Sequence, residues 1–94
     1  MNFITKIEDE PLAFLENLPG KTQQIVRNKL ALLKSDPYPG KGGDKEKFTC
    51  RGKKPVYRLH ISHSYTALYR IEKNIVFIYY LDTIERAHKK YGRI

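Results

Sequence analysis

The chain has 94 residues, which is enough for one compact domain over residues 1–94 but too few for two. Its longest apolar run, Ile75 to Leu81, is too short to span a bilayer, and its single cysteine, Cys50, excludes an internal disulfide. The net charge is +8, and all of it comes from residues 45–94, which contain twelve Lys or Arg and four Asp or Glu. This segregation predicts a polyanionic partner (nucleic acid, an acidic protein or both), because charge that served only solubility would not need it.

The first 44 residues predict a short strand followed by a helical hairpin. Residues 3–7 alternate in polarity as an edge strand does, and Asp9-Glu10-Pro11 places acidic residues and proline in the first turn of a helix. Pro19-Gly20 ends that helix, and Thr22 is the predicted N-cap of a second helix that runs to about Lys34. Residues 35–44 are rich in proline and glycine and predict a loop.

From Val56 onward the apolar pattern changes to a period of two, which predicts three strands. The connections at residues 62–64 and 72–74 are short, as in an antiparallel meander. The summed order is βααβββ, an α+β domain in which the helices pack on one face of the sheet. The polar tail from Asp82 to Ile94 predicts one helical turn near Glu85–Lys90. The N-terminus lacks the pattern of a secretory signal, so a cytoplasmic protein is expected.

The sheet face opposite the helices is the candidate functional surface. Arg58 and His60 alternate with apolar residues in the first meander strand, so both point away from the hairpin. A basic face with aromatic residues suits the backbone of single-stranded RNA. His60 and His63 point to opposite faces, so no metal site is predicted. The cations expected to contact RNA are Lys47, Arg51, Lys53, Lys54, Arg70, Lys89 and Lys90.

Three segments resemble the RelE/ParE toxin superfamily. Residues Cys50 to Ile61 resemble a family segment in which a glycine loop leads into a strand with basic residues at alternate positions. Tyr65 to Ile71 is similar to the family's next strand, and the tail around Glu85–Tyr91 resembles its C-terminal active segment. The resemblance extends over nearly the whole chain. It implies the toxin of a type II toxin–antitoxin system, held inactive by a cognate antitoxin.

RelE-like members of this superfamily are ribosome-dependent endoribonucleases, in which the ribose 2′-OH of mRNA attacks the adjacent phosphate. The resemblance therefore implies the ribosome and mRNA as partners, and no small-molecule cofactor. By this resemblance Arg58 would hold phosphate, and His60 would act as a base or, when protonated, bind phosphate. In the tail, Arg86 would stabilise the transition state, His88 would be an acid or base, and Tyr91 would stack on a base or join proton transfer.

At Thr66 the chain departs from the family, because many RelE-like toxins have an arginine at the matching position. Arg70, further along the same strand face, is a partial substitute. Two alternatives stay open. One is a ParE-like toxin that inhibits DNA gyrase and cuts nothing, and the other is a degenerate member of the fold that only binds RNA or a partner. The presence of His88 and Tyr91 favours the nuclease.

Overall fold

The computed structural model describes residues 2–40, 42–49 and 54–91. The elements in these residues are, in chain order, β1 (Ile4–Ile7), α1 (Asp9–Glu16), α2 (Gly20–Ala31), a 3-10 turn (Leu32–Lys34), β2 (Lys45–Phe48), β3 (Val56–Ile61), β4 (Tyr65–Glu72), β5 (Ile75–Thr83) and α3 (Ile84–Tyr91). The predicted α+β class is confirmed, as is the order of one strand, two helices and then strands. Within the described ranges, no helix is both long and apolar enough to cross a membrane.

A single sheet with the strand order β1-β5-β4-β3-β2 forms the centre of the domain. Strands β3, β4 and β5 form the predicted antiparallel meander. The predicted order βααβββ is incomplete, because the sheet has five strands: β2 joins it antiparallel to β3, and the predicted edge strand β1 joins it parallel to β5. The sequence pattern does not indicate β2, since three of its four residues are charged; its pairing with β3 makes it a strand.

The helical hairpin forms where it is predicted, with one correction at the start of α2. This helix begins at Gly20 with Pro19 as its N-cap and no side-chain cap, so Thr22 is not the N-cap. The reason is that the Pro19 carbonyl already accepts the Gln23 N–H at 2.7 Å, which starts the helix one turn earlier. The helical chain then tightens into the 3-10 turn and ends at Lys34, as predicted.

The hydrophobic core lies between the hairpin and one face of the sheet, called here the hairpin face. The predicted alternation in β3 is confirmed, because Tyr57, Leu59 and Ile61 are buried in this core. The buried Tyr69 hydroxyl donates to the Pro37 carbonyl at 2.6 Å and fixes the loop that precedes β2. The core therefore determines which side chains of the meander are left to the other face.

Ion pairs hold the start of β2 against the hairpin and the sheet. The Lys29 ammonium lies 2.7 Å from the Asp44 carboxylate, and this hydrogen bond is the main reason that the pKa of Asp44 is lowered. The Lys45 side chain is 9% exposed and lies 3.4 Å from Asp36. The backbone N–H of His60 donates to the Asp44 carbonyl at 2.8 Å. These contacts set the position of the residue that follows, Glu46.

The other face of the sheet, called here the second face, carries in its meander strands Arg58, His60, Thr66, Leu68, Arg70 and Tyr80. Helix α3 packs on β4 and β5 and returns over this face, with Ala87 2% exposed. The Ile84 N–H donates to the Ser64 carbonyl at 2.9 Å, which fixes the start of the helix. The predicted helical turn in the tail is thus an eight-residue helix. Because α3 lies on the second face, the expectation that all helices share one face is wrong.

Candidate nucleic-acid interface

An acidic residue of β2, Glu46, joins the two predicted site residues of β3. Glu46 lies opposite Arg58 in the strand register, so both side chains project from the second face. One carboxylate oxygen, Oε1, accepts hydrogen bonds from Arg58 Nη2 at 2.8 Å and from His60 Nε2 at 2.7 Å. Glu46, Arg58 and His60 are called here the Glu46 cluster. It brings together a carboxylate, a fixed cation and a titratable ring.

The bond to Glu46 determines which nitrogen of the His60 ring carries the proton. A ring nitrogen that donates to a carboxylate is protonated, so we assign the proton to Nε2, and in the neutral ring Nδ1 is then an acceptor. The distance of 3.0 Å between Arg58 Nη2 and His60 Nε2 is a contact between two donors that share an acceptor. The His60 bond, followed by the Arg58 bond, holds the pKa of Glu46 below its ordinary value, so this carboxylate is ionised at neutral pH.

Arg58 is the most buried member of the Glu46 cluster. Its side chain is 10% exposed, whereas that of Glu46 is 42% exposed and that of His60 is 31% exposed. Its guanidinium carbon lies 5.5 Å from the centre of the Phe48 ring. Its Nε is buried and has no hydrogen-bond partner within the described part of the chain. The structure therefore places Arg58 behind Glu46 as a fixed positive charge, and not as an exposed phosphate contact.

Beyond the cluster, the second face continues across β4 to β5. Arg58 lies opposite Leu68, and Leu68 lies opposite Tyr80. Because neighbouring strands are about 4.8 Å apart, the backbones at Arg58 and Tyr80 are separated by about 10 Å. Thr66 is 1% exposed, and its hydroxyl donates to the Leu59 carbonyl at 3.4 Å. This position therefore contributes a buried neutral group where the family resemblance leads one to expect a cation.

A β-bulge in β5 changes the direction of its tyrosine side chains. Tyr80 pairs with Leu68 and Ile78 pairs with Tyr69, so Tyr79 is an extra residue between two regular pairs. The Arg70 guanidinium lies 5.1 Å from the centre of the Tyr79 ring. Since Arg70 projects from the second face, this contact places the Tyr79 ring beside that face. The bulge thus brings two consecutive tyrosines to one side of the sheet.

Tyr80 is the point at which α3 contacts the sheet. The rings of Tyr80 and Tyr91 meet edge to face, with centres 5.0 Å apart, and the Lys90 ammonium lies 5.3 Å from the Tyr80 ring centre. Burial, assisted by the negative charge of Asp82, raises the pKa of Tyr80 to about 12. The phenol is therefore neutral at physiological pH. Lys90 and Tyr91, both predicted site residues, come together here.

The other predicted residues of α3 are exposed to solvent. The Arg86 side chain is 72% exposed, and its Nη1 lies 3.9 Å from the Asp82 carboxylate. The Lys89 ammonium lies 3.9 Å from Glu85, and both side chains are largely exposed. His88 is exposed as well. Exposed pairs of this length contribute little stability, so these cations can exchange their partners for phosphates.

Two of the remaining predicted RNA contacts, Lys47 and Lys54, lie in the described part of the chain and do not converge on the Glu46 cluster. Lys47 lies opposite Tyr57, so it projects from the hairpin face, away from Arg58. Lys54 makes an exposed ion pair with Glu72 at 2.9 Å. Two further predicted contacts fall outside the described residues, namely Arg51 and Lys53.

Sequence reasoning missed three residues of this surface, namely Glu46, Tyr79 and Tyr80. Glu46 belongs to a strand too polar to be recognised, and its role depends on pairing with a strand that begins ten residues later in the chain. The two tyrosines belong to the apolar run from Ile75 to Leu81, and only the bulge turns them both outward. The sequence signal for this strand is weak: Glu46 and Phe48 alternate with lysines, as in a short edge strand, but four residues without an apolar period do not distinguish a strand from a loop.

Comparison with solved structures shows that the chain has the fold of RelE-like toxins. It is similar to the archaeal RelE–RelB complex of Pyrococcus horikoshii, with a TM-score of 0.74 and 22% identity over 93% of this chain and 100% of that one. The toxin–antitoxin complex RelBE2 of Mycobacterium tuberculosis gives a TM-score of 0.68 and 16% identity, covering 88% and 99% of the two chains. The YoeB–YefM complex of Staphylococcus aureus gives 0.64 and 13%, covering 87% and 97%.

Sequence identities of 13% to 22% establish the shared fold but carry no information about activity. No protein-family model matches the sequence, and no curated protein matches it significantly. The fold agrees with the resemblance described from the residues. The activity must be argued from the side chains of the second face.

Proposed function

We propose that this protein is the toxin of a type II toxin–antitoxin system and that it cleaves mRNA on the ribosome. The observation that carries the proposal is the Glu46 cluster, which lies on the same face of the sheet as the basic helix α3. A carboxylate that orients an imidazole beside a fixed cation is an arrangement suited to proton transfer next to an anionic phosphate. The RelE-like fold supports the same class of activity.

In this proposal, His60 is the base for attack by the ribose 2′-OH. The Glu46 carboxylate holds Nε2–H, so Nδ1 takes the proton while the 2′-oxygen forms its bond to phosphorus. The bond from phosphorus to the 5′-oxygen breaks, and the leaving oxygen takes a proton from a second group, for which His88 is the candidate. The products are a cyclic phosphate and a 5′-hydroxyl. Glu46 is then a positioning residue and stabilises the imidazolium.

The buried and the exposed cations of this surface have different roles in the proposed mechanism. Arg58, largely buried, offsets the charge of Glu46, so the carboxylate can orient His60 without leaving a net negative charge beside the phosphate. The exposed cations Arg86, Lys89 and Lys90 contact the RNA phosphates, with Arg86 nearest the charge that develops at the transition state. Tyr91, held against Tyr80, supplies an aromatic edge for a base.

The proposed regulator is a cognate antitoxin whose acidic segment covers the second face. Three of the similar structures reported above are toxin–antitoxin complexes. The positive charge of residues 45–94 is complementary to such a segment. Binding over α3 would deny mRNA access to Arg86 and Lys90, and so silence the toxin without altering the Glu46 cluster.

The proposal is tested by inducing the chain in cells without an antitoxin and mapping mRNA 5′ ends. Cleavage at codon-spaced positions within translated regions is expected. His60→Ala should slow it about 10²–10⁴-fold. His63→Ala is the matched control, because His63 is an exposed histidine in the turn between β3 and β4. Arg86→Ala and Tyr91→Ala should abolish cleavage while the fold survives. Wild-type cleavage by the His60→Ala variant would overturn the site assignment.

A second candidate function is inhibition without cleavage, either of DNA gyrase, as in ParE-like toxins, or by RNA binding alone. The observation in its favour is the weak set of exposed cations beside the cluster: Arg58 is buried against Glu46, and Thr66 provides no charge. Growth arrest with intact mRNA and blocked supercoiling would establish gyrase as the target. RNA binding with neither cleavage nor growth arrest would leave a binding protein.

A further inference from the structure

The bulge in β5 gives the second face two adjacent pairs, each made of a cation and a tyrosine. In a regular strand, consecutive side chains point to opposite faces, so Tyr79 and Tyr80 could not both serve one surface. Here Lys90 lies 5.3 Å from the Tyr80 ring centre, and Arg70 lies 5.1 Å from the Tyr79 ring centre. The first pair belongs to the surface described above. The second pair has no role in the proposed cleavage.

The Tyr79 pair lies in an open groove with a mixed lining. Phe77 and Tyr79 provide aromatic surface, Arg70 provides a planar cation, and Glu8 and Glu72 provide carboxylates. The Lys54 hydrogen bond holds the pKa of Glu72 below its ordinary value, so this carboxylate is ionised at neutral pH. The Glu8 backbone is fixed by its N–H, which donates to the Ile78 carbonyl at 3.0 Å.

The chemistry of this lining selects against a phosphate. Two carboxylates beside one arginine disfavour a bound phosphate, even though Lys54 offsets part of the charge of Glu72. Aromatic rings and a planar guanidinium, by contrast, stack on the π-face of any base. Carboxylate oxygens accept hydrogen bonds, and the edges of bases carry N–H donors. The groove is therefore complementary to a nucleobase and not to the RNA backbone.

We infer that the groove lined by Arg70, Tyr79 and Phe77 binds one base of the single-stranded RNA whose backbone lies along α3. This inference rests on the proposed RNA-directed function and deepens it. Tyr79 is adjacent to Tyr80, whose backbone is about 10 Å from that of Arg58 across two strand spacings. A small protein surface that binds single-stranded RNA covers several nucleotides, so one strand can reach both the groove and the Glu46 cluster. Arg70, predicted as a phosphate contact, becomes a stacking residue.

The inference is tested with purified protein and a fluorescently labelled RNA octamer that carries 2′-O-methyl groups, which remove the attacking hydroxyl. Tyr79→Ala should weaken binding about 5- to 150-fold, which is the range for loss of one stacked base. Tyr79→Phe keeps the ring and should bind like the wild type. Arg70→Lys keeps the charge but loses the planar group, so it should weaken binding. Tyr38→Ala is the matched control, because Tyr38 is an exposed tyrosine outside the second face.

Two further readouts separate base stacking from a phosphate contact or a folding defect. The slope of log affinity against log salt should be unchanged in Tyr79→Ala, whereas it should fall by about 1 in Arg86→Ala. Octamers with one abasic position should identify the base that occupies the groove. Removing that base should weaken binding by the wild type and should not weaken binding by Tyr79→Ala any further. The base groove would be overturned if Tyr79→Ala lost affinity equally at every abasic position. It would also be overturned if this variant bound the intact octamer as tightly as the wild type.

These experiments distinguish failure of the base groove from failure of the proposed function. If Arg86→Ala weakens octamer binding and Tyr79→Ala does not, the groove is wrong and RNA binding along α3 stands. If the wild type binds no octamer at all, the base groove is overturned, and the mapping of mRNA 5′ ends decides separately whether the chain cleaves mRNA.

Discussion

The hairpin face and the second face are formed by alternating residues of the same strands, yet they differ in how their side chains are satisfied. On the hairpin face, Leu59 and Ile61 are buried in a continuous apolar core. On the second face, Arg58 and His60 converge on one carboxylate oxygen, and α3 leaves most of its own cations exposed. The apolar core that stabilises the fold thus lies on one face, and the candidate functional groups lie on the other. Consecutive residues of β3 belong to opposite faces.

The largest expected effects come from substituting the two neighbours Leu59 and His60. Leu59→Ala should lower the free energy of unfolding by about 2–5 kcal/mol, because it leaves a cavity in the core. His60→Ala should change that free energy by about 1 kcal/mol or less but slow RNA cleavage about 10²–10⁴-fold. Urea unfolding and cleavage assays on both variants measure the contrast. Similar stability losses in the two variants would contradict the division between the faces.

A smaller effect is expected from two glutamates whose ion pairs differ in burial. Glu46→Gln should lower the free energy of unfolding by about 1–3 kcal/mol, because Arg58 loses its charged partner while it remains buried. Glu72→Gln should change it by about 0.5 kcal/mol or less, because its partner Lys54 is 74% exposed. Urea unfolding of both variants at neutral pH is the measurement, and a larger loss in Glu72→Gln would refute the comparison.

The pH dependence of the Glu46 contribution sharpens the same comparison. The pKa of Glu46 is lowered by folding, so its contribution to stability is complete above its ordinary value of 4.5 and is lost as the pH falls through the lower folded-state value. Below about pH 5, the difference in unfolding free energy between wild type and Glu46→Gln should therefore shrink as Glu46 becomes protonated. A difference that grows as the pH falls below about 5 would reverse the sign of this linkage.

The smallest expected effect concerns Tyr80, whose phenol is partly enclosed by α3. Its pKa is raised to about 12, so Tyr80→Phe should remove one late step from the ultraviolet titration of the tyrosines. Tyr38→Phe, at an exposed site outside the second face, should leave that step in place. Loss of a step at ordinary tyrosine pH in Tyr80→Phe would show that α3 does not enclose this ring.

The parts of the fold that depend on local pattern could be predicted, and those that depend on long-range pairing could not. The three meander strands follow from a period of two, and their alternation placed Arg58 and His60 on the correct face. β2 was missed because its residues KEKF have no apolar period, and β-bulges leave no pattern in the sequence. The position of Glu46 depends on the pairing of β2, and the position of Tyr79 depends on the bulge. The candidate site was therefore predicted without its carboxylate and without its second aromatic ring.

The pairing of β1 with β5 has a consequence for the order in which the molecule can assemble. The residue opposite Ile4 is Ile75, so β1 finds its partner strand only after the helical hairpin and strands β2 to β4 have been synthesised. Contacts of such sequence separation form late, because the intervening chain must first be ordered. A growing chain on the ribosome therefore lacks β5, Tyr80 and α3 until the residues that follow β4 have emerged. Under the proposed function, such a chain could not yet present the RNA-binding surface of α3 to the ribosome that is making it.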